Sequence, residues 1–164
     1  MTISGPFSAA LIAGAQALGV RLDPFLNFSF FVEIEGLLVG GFSEVTGLES
    51  EIEVTAYREG GQNEYIHQLP GPTRYPQNIV LKHGLTINGL LWDWYQSVTQ
   101  GVIQRKNGTI YLLDTSWIPV VQWDFRAAYP VKWTGPELRA ESPGVAIETL
   151  SLAHRGIVKP ALSF

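Results

Sequence analysis

The chain has 164 residues, of which 46% are hydrophobic and only 16% charged, so it is long enough for one domain with a substantial core. The formal net charge of -4 argues against a protein that coats nucleic acid, because affinity for phosphates needs clustered Lys and Arg. The absence of cysteine excludes disulfides, thiolate catalysis and thiolate metal sites, and it fits synthesis in the cytosol.

The N-terminal segment, residues 1–22, is predicted to be an arm of small residues that precedes a domain at 23–164. A terminus without fixed structure is an equal alternative. No basic residue precedes its apolar stretch, whereas a secretory signal peptide has its positive charges there. No stretch of the chain reaches the roughly 20 apolar residues of a membrane-spanning helix, so we predict no stable membrane insertion.

The first half of the domain predicts three strands. NFSFFVEIE, at 27–35, alternates apolar and polar residues, which is typical of a half-buried strand. LLVGGF, at 37–42, returns as a second strand with a bulge or bend at its glycine pair. SEIEVTAYR, at 50–58, alternates again. A long polar excursion, YREGGQNEYIHQLPGP at 57–72, then interrupts the pattern.

The second half predicts one helix between further strands. Apolar residues of TINGLLWDWYQSVTQG recur every three or four positions, which indicates an amphipathic helix over about 87–100. Five segments are predicted strands: NIVLKHG, GTIYLLD, VVQWDFR, YPVKWTG and VAIETLSLAH. The chain is therefore predicted to be mainly β with one helix.

No catalytic or metal-binding signature is found in the sequence. The histidines lie far apart and form neither an HxH nor an HExxH pair. They are His67, His83 and His154. Glu49, Glu51 and Glu53, at strand spacing, indicate one polar face rather than the paired carboxylates of a glycosidase. We therefore predict no enzymatic activity, no cofactor and no bound metal.

Several short motifs, in a fixed order, resemble the tail tube proteins of contractile-tailed phages and bacterial contractile injection systems. In that family an F-x-V-x-I-x-G strand leads to G-F-S-E-V-x-G-L and then to a Tyr-Arg-Glu-Gly-Gly-x-Asn segment. Here these motifs occupy residues 30–36, 41–48 and 57–63. The resemblance continues through LPG, LKHG, LWDWY, LLD, AYPVKWTGPEL and VAIETLSLAHRG, and it covers residues 23–158.

This resemblance implies two packed antiparallel sheets with one flanking α-helix, a sandwich- or barrel-like fold that forms a continuous β-barrel in a hexameric ring. Stacked rings would make a rigid tube, with a sheath protein outside and baseplate and cap or terminator proteins at its ends. Cargo or DNA would occupy the lumen. The implied function is that of a structural inner tube subunit, assembled in the bacterial cytoplasm as part of a phage tail or injection particle and driven through a target envelope.

The polar excursion resembles the family's long loop or hairpin, which reaches a neighbouring subunit or ring. Its glycines allow a sharp path and its polar groups suit such contacts. The candidate contact residues are Tyr57, Arg58, Glu59, Gly60, Gly61, Gln62 and Asn63. A polar strand face can also line an aqueous lumen, and closing open sheet edges between subunits removes a liability. The lumen-facing candidates are Glu51, Glu53 and Thr55.

Two alternatives remain open at this point. The chain could be a baseplate-proximal tube initiator of the same particle. It could also belong to another class, the carbohydrate-binding β-sandwiches. A cluster of exposed tryptophans in a groove would support that class, whereas tryptophans in the core or in interfaces would count against it. The five are Trp92, Trp94, Trp117, Trp123 and Trp133.

Overall fold

The computed structural model describes residues 29–37, 41–61, 63–85 and 89–160, so the predicted arm at 1–22 lies outside the described residues. Within these ranges the chain forms nine strands and one helix. In chain order they are β1 (Phe30–Ile34), β2 (Phe42–Thr46), β3 (Glu51–Tyr57), β4 (His67–Arg74), β5 (Ile79–Gly84), α1 (Leu90–Thr99), β6 (Lys106–Leu113), β7 (Pro119–Thr134), β8 (Ile147–Ala153) and β9 (Gly156–Val158). The prediction of a mainly β chain is confirmed, and the described residues contain the one helix that was predicted.

Seven of these strands form one antiparallel sheet. Its order is β1-β6-β7-β8-β5-β2, and β9 pairs with β7. Strand β7 is 16 residues long and pairs first with β6 and then with β8. The two strands predicted at 120–126 and 129–135 are thus a single strand. Near its middle, Ala127 has a φ of 50° and its N–H donates a 3.0 Å hydrogen bond to the Asn107 side chain. The register shifts at this point, which lets one strand serve both halves of the sheet.

Both halves of the large sheet enclose the same hydrophobic core. Its buried residues alternate along the strands, as a strand with one covered face requires. They are Val32, Ile34, Ile79, Leu81, Leu91, Trp94, Ile110, Phe125, Ala128, Leu150 and Leu152. Helix α1 contributes Leu91 and Trp94, which confirms the predicted amphipathic helix. The indole Nε1–H of Trp94 donates a 2.9 Å hydrogen bond to the carbonyl oxygen of Gln104, so its polar atom is satisfied.

The other two strands, β3 and β4, form a separate antiparallel pair, called the ribbon below. Every residue of β3 is exposed, including Ile52 and Val54, whose relative exposures are 57% and 55%. The strand at 50–58 is confirmed, but its apolar face is not buried within the subunit. Two antiparallel sheets are therefore present, yet they are unequal. Neither face of β3 is covered by the described part of the subunit.

Several elements differ from the sequence-based expectation in their bounds or in their presence. Strand β4 begins within the stretch predicted as a polar excursion at 57–72 and ends two residues after it, and the short β9 was not predicted. Strand β2 begins at Phe42, where the predicted strand at 37–42 ends. The start of the helix, predicted near residue 87, falls outside the described residues, and the described helix runs over Leu90–Thr99.

Two glycines of the G-F-S-E-V-x-G-L motif both have a positive φ, but an added side chain would overlap other atoms at only one of them. Gly41 has a φ of +78° and Gly47 a φ of +89°, and alanine is strained at both by about 1–2 kcal/mol. A Cβ at Gly41 would meet no atom within 4 Å, whereas one at Gly47 would overlap the Asn78 carbonyl oxygen. Overlap adds about 1–3 kcal/mol. We expect Gly47→Ala to lower the free energy of unfolding by about 2–5 kcal/mol and Gly41→Ala by about 1–2 kcal/mol. Urea denaturation measures both, and equal losses would contradict this account.

Candidate assembly surfaces

The predicted contact residues lie together at the turn end of the ribbon. Strand β3 ends at Tyr57 and β4 begins at His67, so residues 58–66 form the connection. Six of the seven predicted contact residues are described, and all six are exposed: Tyr57, Arg58, Glu59, Gly60, Gly61 and Asn63. The seventh, Gln62, lies outside the described residues. The excursion is therefore the connection and second strand of a hairpin that faces solvent in the single subunit.

Local contacts hold this connection in place. His67 Nε2 lies 3.4 Å from Glu59 Oε2, so the Glu59 carboxylate faces His67 rather than Arg58. The ring of Tyr65 packs edge-on against that of His67, with centroids 5.0 Å apart. Gly61 has a φ of +92°, in the left-handed region that favours glycine, while Gly60 lies outside that region. The path of the connection thus depends on Gly61.

The ribbon exposes apolar side chains on both of its faces. Ile52 and Val54 lie on one face, and Tyr57 and Leu69 lie on the other, with about half of each side chain accessible. An isolated two-stranded hairpin is marginal in water, and contiguous exposed apolar surface marks interaction sites. The ribbon is therefore the strongest candidate on the described surface for contact with another chain.

The three lumen-facing candidates also lie on the ribbon. Glu51, Glu53 and Thr55 are exposed residues of β3, and the Glu53 carboxylate forms an ion pair with Arg74. They do not belong to the large sheet. They are therefore not part of a sheet face that has the hydrophobic core on its other side.

The large sheet does have a polar face with the hydrophobic core on its other side. This face lies on the segment formed by β2, β5, β8 and the last part of β7. Glu44, Lys82, Thr149 and Thr134 are neighbours across these four strands and face away from the core. The Lys82 ammonium and the Glu44 carboxylate are 2.9 Å apart. Residues next to them along the strands, such as Leu81 and Leu150, are buried. We call this surface the polar wall.

The strands that bound the polar wall have open edges among the described residues. Strand β2 pairs only with β5, and positions 130–134 of β7 pair only with β8. Successive strands of the segment are antiparallel, so β2 and β7 run in opposite directions. Placing β2 of one copy beside β7 of another would thus continue the antiparallel pattern.

A buried polar cluster ties three strands of this segment together. The carboxylate of Glu148 on β8 lies 3.4 Å from His83 Nδ1 on β5 and accepts a 2.9 Å hydrogen bond from Trp133 Nε1 on β7. His83 and Glu148 are only 3% and 5% exposed. These three side chains therefore link β5, β7 and β8 through polar contacts behind the polar wall.

The described residues contain no group of three or more His, Asp and Glu side chains placed to hold a metal. The histidines make separate contacts: His67 with Glu59, His83 with Glu148 and His154 with Tyr75. No described helix is both long and apolar enough to cross a membrane.

The tryptophans do not gather in one exposed cluster. Trp94 is buried, and Trp123 and Trp133 pack against the core. Trp92 makes an edge-on contact with Trp133, with ring centroids 4.5 Å apart. Trp117 lies apart from these, in the turn between β6 and β7, and is 74% exposed. This distribution counts against the carbohydrate-binding alternative.

Comparison with known proteins decides the family. The model of the family described as T4-like virus tail tube protein gp19 matches residues 26–158, most of the chain. The chain belongs to this tail tube family. It is accordingly a structural tube subunit of a phage tail or a phage-tail-like injection particle, as predicted from the order of its motifs.

Solved structures show the same fold. A chain in the baseplate structure of the anti-feeding prophage is 26% identical, with a TM-score of 0.76, and the match covers 88% of this chain and 100% of that one. A chain in the extended sheath-tube complex of the extracellular contractile injection system PVC is 24% identical, with a TM-score of 0.77 and coverages of 90% and 97%. A chain in the tube terminating cap of the anti-feeding prophage is 22% identical, with a TM-score of 0.77 and coverages of 87% and 94%. Comparison with curated protein sequences gave no match.

Proposed function

We propose that this chain is the main inner tube subunit of a contractile particle, and that it forms hexameric rings which stack into a rigid tube. The observation that carries the proposal is the four-stranded polar wall, which has an apolar core behind it and open edges of opposite direction on its two sides. Such a segment is suited to head-to-tail repetition around an axis.

Ring closure follows from the geometry of these edges. A contact between two different patches forms a closed ring when the rotation between subunits returns to its start. Each junction would join β2 of one subunit to β7 of the next, and six copies of four strands would give a barrel of about 24 strands. Closure removes the exposed edges, which would otherwise promote uncontrolled aggregation.

In this arrangement the polar wall lines the lumen. Glu44, Lys82, Thr134 and Thr149 would face the water through which cargo or DNA passes, and the hydrophobic core would lie behind them. The residues predicted from the sequence to face the lumen, Glu51, Glu53 and Thr55, lie on β3 of the ribbon. We assign them to subunit contacts, because the ribbon is not continuous with the wall.

The ribbon reaches a neighbouring subunit or ring. Its exposed apolar side chains and the turn at Gly61 support this role, since a solvated hairpin has no need of such surface. Around the tube we place a sheath protein, with baseplate and cap or terminator proteins at the ends, and we assign the subunit no enzymatic role. Chains of similar fold occur in structures of a sheath-tube complex, a baseplate and a tube cap, which supports these partners. The particle would be assembled in the bacterial cytoplasm and its tube driven through a target envelope.

A baseplate-proximal tube initiator is the second candidate. The match to a chain in a baseplate structure, at 26% identity, favours it. An initiator would form a ring but would not propagate into a long tube on its own.

Electron microscopy of the purified chain tests the proposal. We expect negative-stain images to show sixfold rings and tubes of stacked rings, and light scattering to give a mass of about six subunits or more at high concentration. Rings that never stack would favour the initiator. A monomeric mass across a wide concentration range would contradict both candidates.

A further inference from the structure

A groove on the face of the large sheet that is turned away from the core has no part in the ring contact proposed above. It has a volume of about 350 Å³ and lies between β1 and the turn that joins β6 to β7. Its lining includes Phe31, Glu33, Tyr111, Leu113, Trp117 and Pro119. The groove is thus mainly aromatic and apolar, with one carboxylate at its margin.

The turn beside this groove presents a tryptophan in a fixed position. Trp117 is 74% exposed and has a φ of 62°, which is rare for a bulky residue. The Asp114 carboxylate holds the turn by accepting hydrogen bonds from the N–H groups of Ser116, at 2.7 Å, and Ile118, at 3.0 Å. Tryptophan is the residue type most enriched at the energetic centres of protein interfaces. A fixed and exposed tryptophan therefore makes this wall of the groove suited to contact with another chain.

The carboxylate of the groove has no cationic partner among the residues that the structure describes. Glu33 Oε2 accepts a 3.3 Å hydrogen bond from the Tyr111 hydroxyl, and the ion pairs of the described residues do not include Glu33. Burial, followed by the negative charge of Glu33, raises the pKa of Tyr111 above its ordinary value. The groove therefore fits a segment that brings apolar side chains and one cation.

We propose that the groove receives the ribbon of a second copy of this chain, with Arg58 of the incoming ribbon paired with Glu33. This proposal rests on the tube assembly proposed above and names the surface on which the ribbon docks. Arg58 is exposed and, among the described residues, forms no ion pair, because the carboxylate beside it, Glu59, faces His67. The charges of the two surfaces are thus complementary.

The apolar surfaces of the ribbon and the groove also match. Tyr57 and Leu69, on one face of the ribbon, are 54% and 48% exposed, and Phe31 in the groove is 47% exposed. In the docked state Tyr57 would pack against the groove aromatics and cover Phe31 and Trp117. The ribbon and the groove are different patches of one chain, so every copy can give a ribbon and receive one. A contact of this kind repeats without limit along a tube.

A charge exchange in the full-length chain tests this docking. We expect Arg58→Glu or Glu33→Arg alone to reduce the number of tubes in negative-stain images by about tenfold or more, since each mismatch repeats at every subunit. The double variant Arg58→Glu with Glu33→Arg should recover most of the tubes. Glu33→Arg removes the hydrogen bond from Tyr111 in both backgrounds, so recovery would report the charge pair itself.

Two controls match these substitutions. Arg139→Glu makes the same change of charge at an exposed residue whose partner, Glu137, lies outside the groove, and it should leave tube formation unchanged. Trp117→Ser should reduce tube formation, whereas Leu138→Ser, at a residue that is 81% exposed, should not. Circular dichroism should show an unchanged fold for each variant.

The outcomes separate this docking from the tube assembly on which it rests. If the unmodified chain forms neither rings nor tubes, the proposed function itself is wrong. If the unmodified chain forms tubes and Glu33→Arg does so equally well, the groove does not receive the ribbon. The same conclusion follows if the double variant assembles no better than the single ones, or if Trp117→Ser forms normal tubes but loses contact with a different protein such as the sheath.

Discussion

Replacing Trp94 with alanine is expected to lower the free energy of unfolding by about 3–5 kcal/mol. The side chain is only 3% exposed and lies between α1 and the core of the large sheet. The substitution removes the indole and leaves a cavity that the sheet cannot close by a local adjustment. It also leaves the Gln104 carbonyl oxygen without the hydrogen bond from the indole. Urea denaturation followed by circular dichroism measures the loss.

A second tryptophan on the same helix provides the control. Trp92 is 39% exposed and contacts Trp133 from the surface of the helix, so Trp92→Ala should cost less than half as much as Trp94→Ala. Similar losses for the two variants would mean that burial does not determine their effect. A loss below about 1 kcal/mol for Trp94→Ala would contradict its place in the core.

Local periodicity predicted most of the large sheet and the helix. The spacing of three and four residues placed Leu91 and Trp94 on the buried face of α1, where the structure has them. The segment NIVLKHG was predicted as a strand, and the structure buries Ile79 and Leu81 on the covered face of β5. Each of these elements packs one side on the core of its own subunit, so its apolar residues recur at the period of a helix or a strand.

Strand β7 shows where local patterns fail. Its halves face different neighbours, and the irregular position at Ala127 resets the alternation between them. Pro130, which is depleted in strand interiors, made the second half look like a new element. That residue is buried beside another register shift, where a missing N–H is tolerated. Whether such a break ends a strand or bends it depends on partners that are distant in the sequence.

The ribbon was harder to predict because no other described part of the subunit covers its β3 strand. The alternation of β3 predicts that one face is covered, yet Ile52 and Val54 are exposed in the single chain. Pro70 and Gly71 made β4 resemble a loop, although an exposed two-stranded ribbon has an outer edge that needs no N–H donors. An alternating pattern predicts a covered face, and in β3 that face is exposed within the described subunit.

Of the two candidate surfaces, one could be named from the sequence and the other could not. The candidate contact segment at 57–63 could be named from the sequence because its residues are consecutive and match a family motif. The polar wall was missed, because Glu44, Lys82, Thr149 and Thr134 come from four separate strands. Only the register of the sheet brings them into one row. The sequence showed that each of these strands has polar residues at alternate positions. It could not show that the polar residues of the four strands are neighbours in the sheet.

Gly61→Val is expected to abolish tube formation while leaving the subunit folded. The φ of +92° at Gly61 lies in a region that a β-branched residue enters only with strain, at a cost of about 1–3 kcal/mol. The chain can relieve this strain by changing the path of the connection between β3 and β4, which is exposed and lies outside the hydrophobic core. The fold should therefore survive, whereas the altered ribbon should no longer fit its neighbour. Negative-stain images measure tube formation, and circular dichroism measures folding.

The adjacent glycine supplies a control that differs only in conformation. A Cβ at Gly60 or at Gly61 would meet no atom within 4 Å, so steric overlap distinguishes neither position. Gly60 lies outside the left-handed region, and Gly60→Val should therefore form tubes. Each tube repeats the Gly61→Val defect at every subunit, so even about 1.4 kcal/mol per contact, a factor of ten in its equilibrium constant, should suppress a cooperative assembly. Long tubes of Gly61→Val would show that the geometry of this turn is irrelevant to assembly. Loss of the native circular dichroism spectrum would instead place the ribbon in the folding core, contrary to its exposure in the subunit.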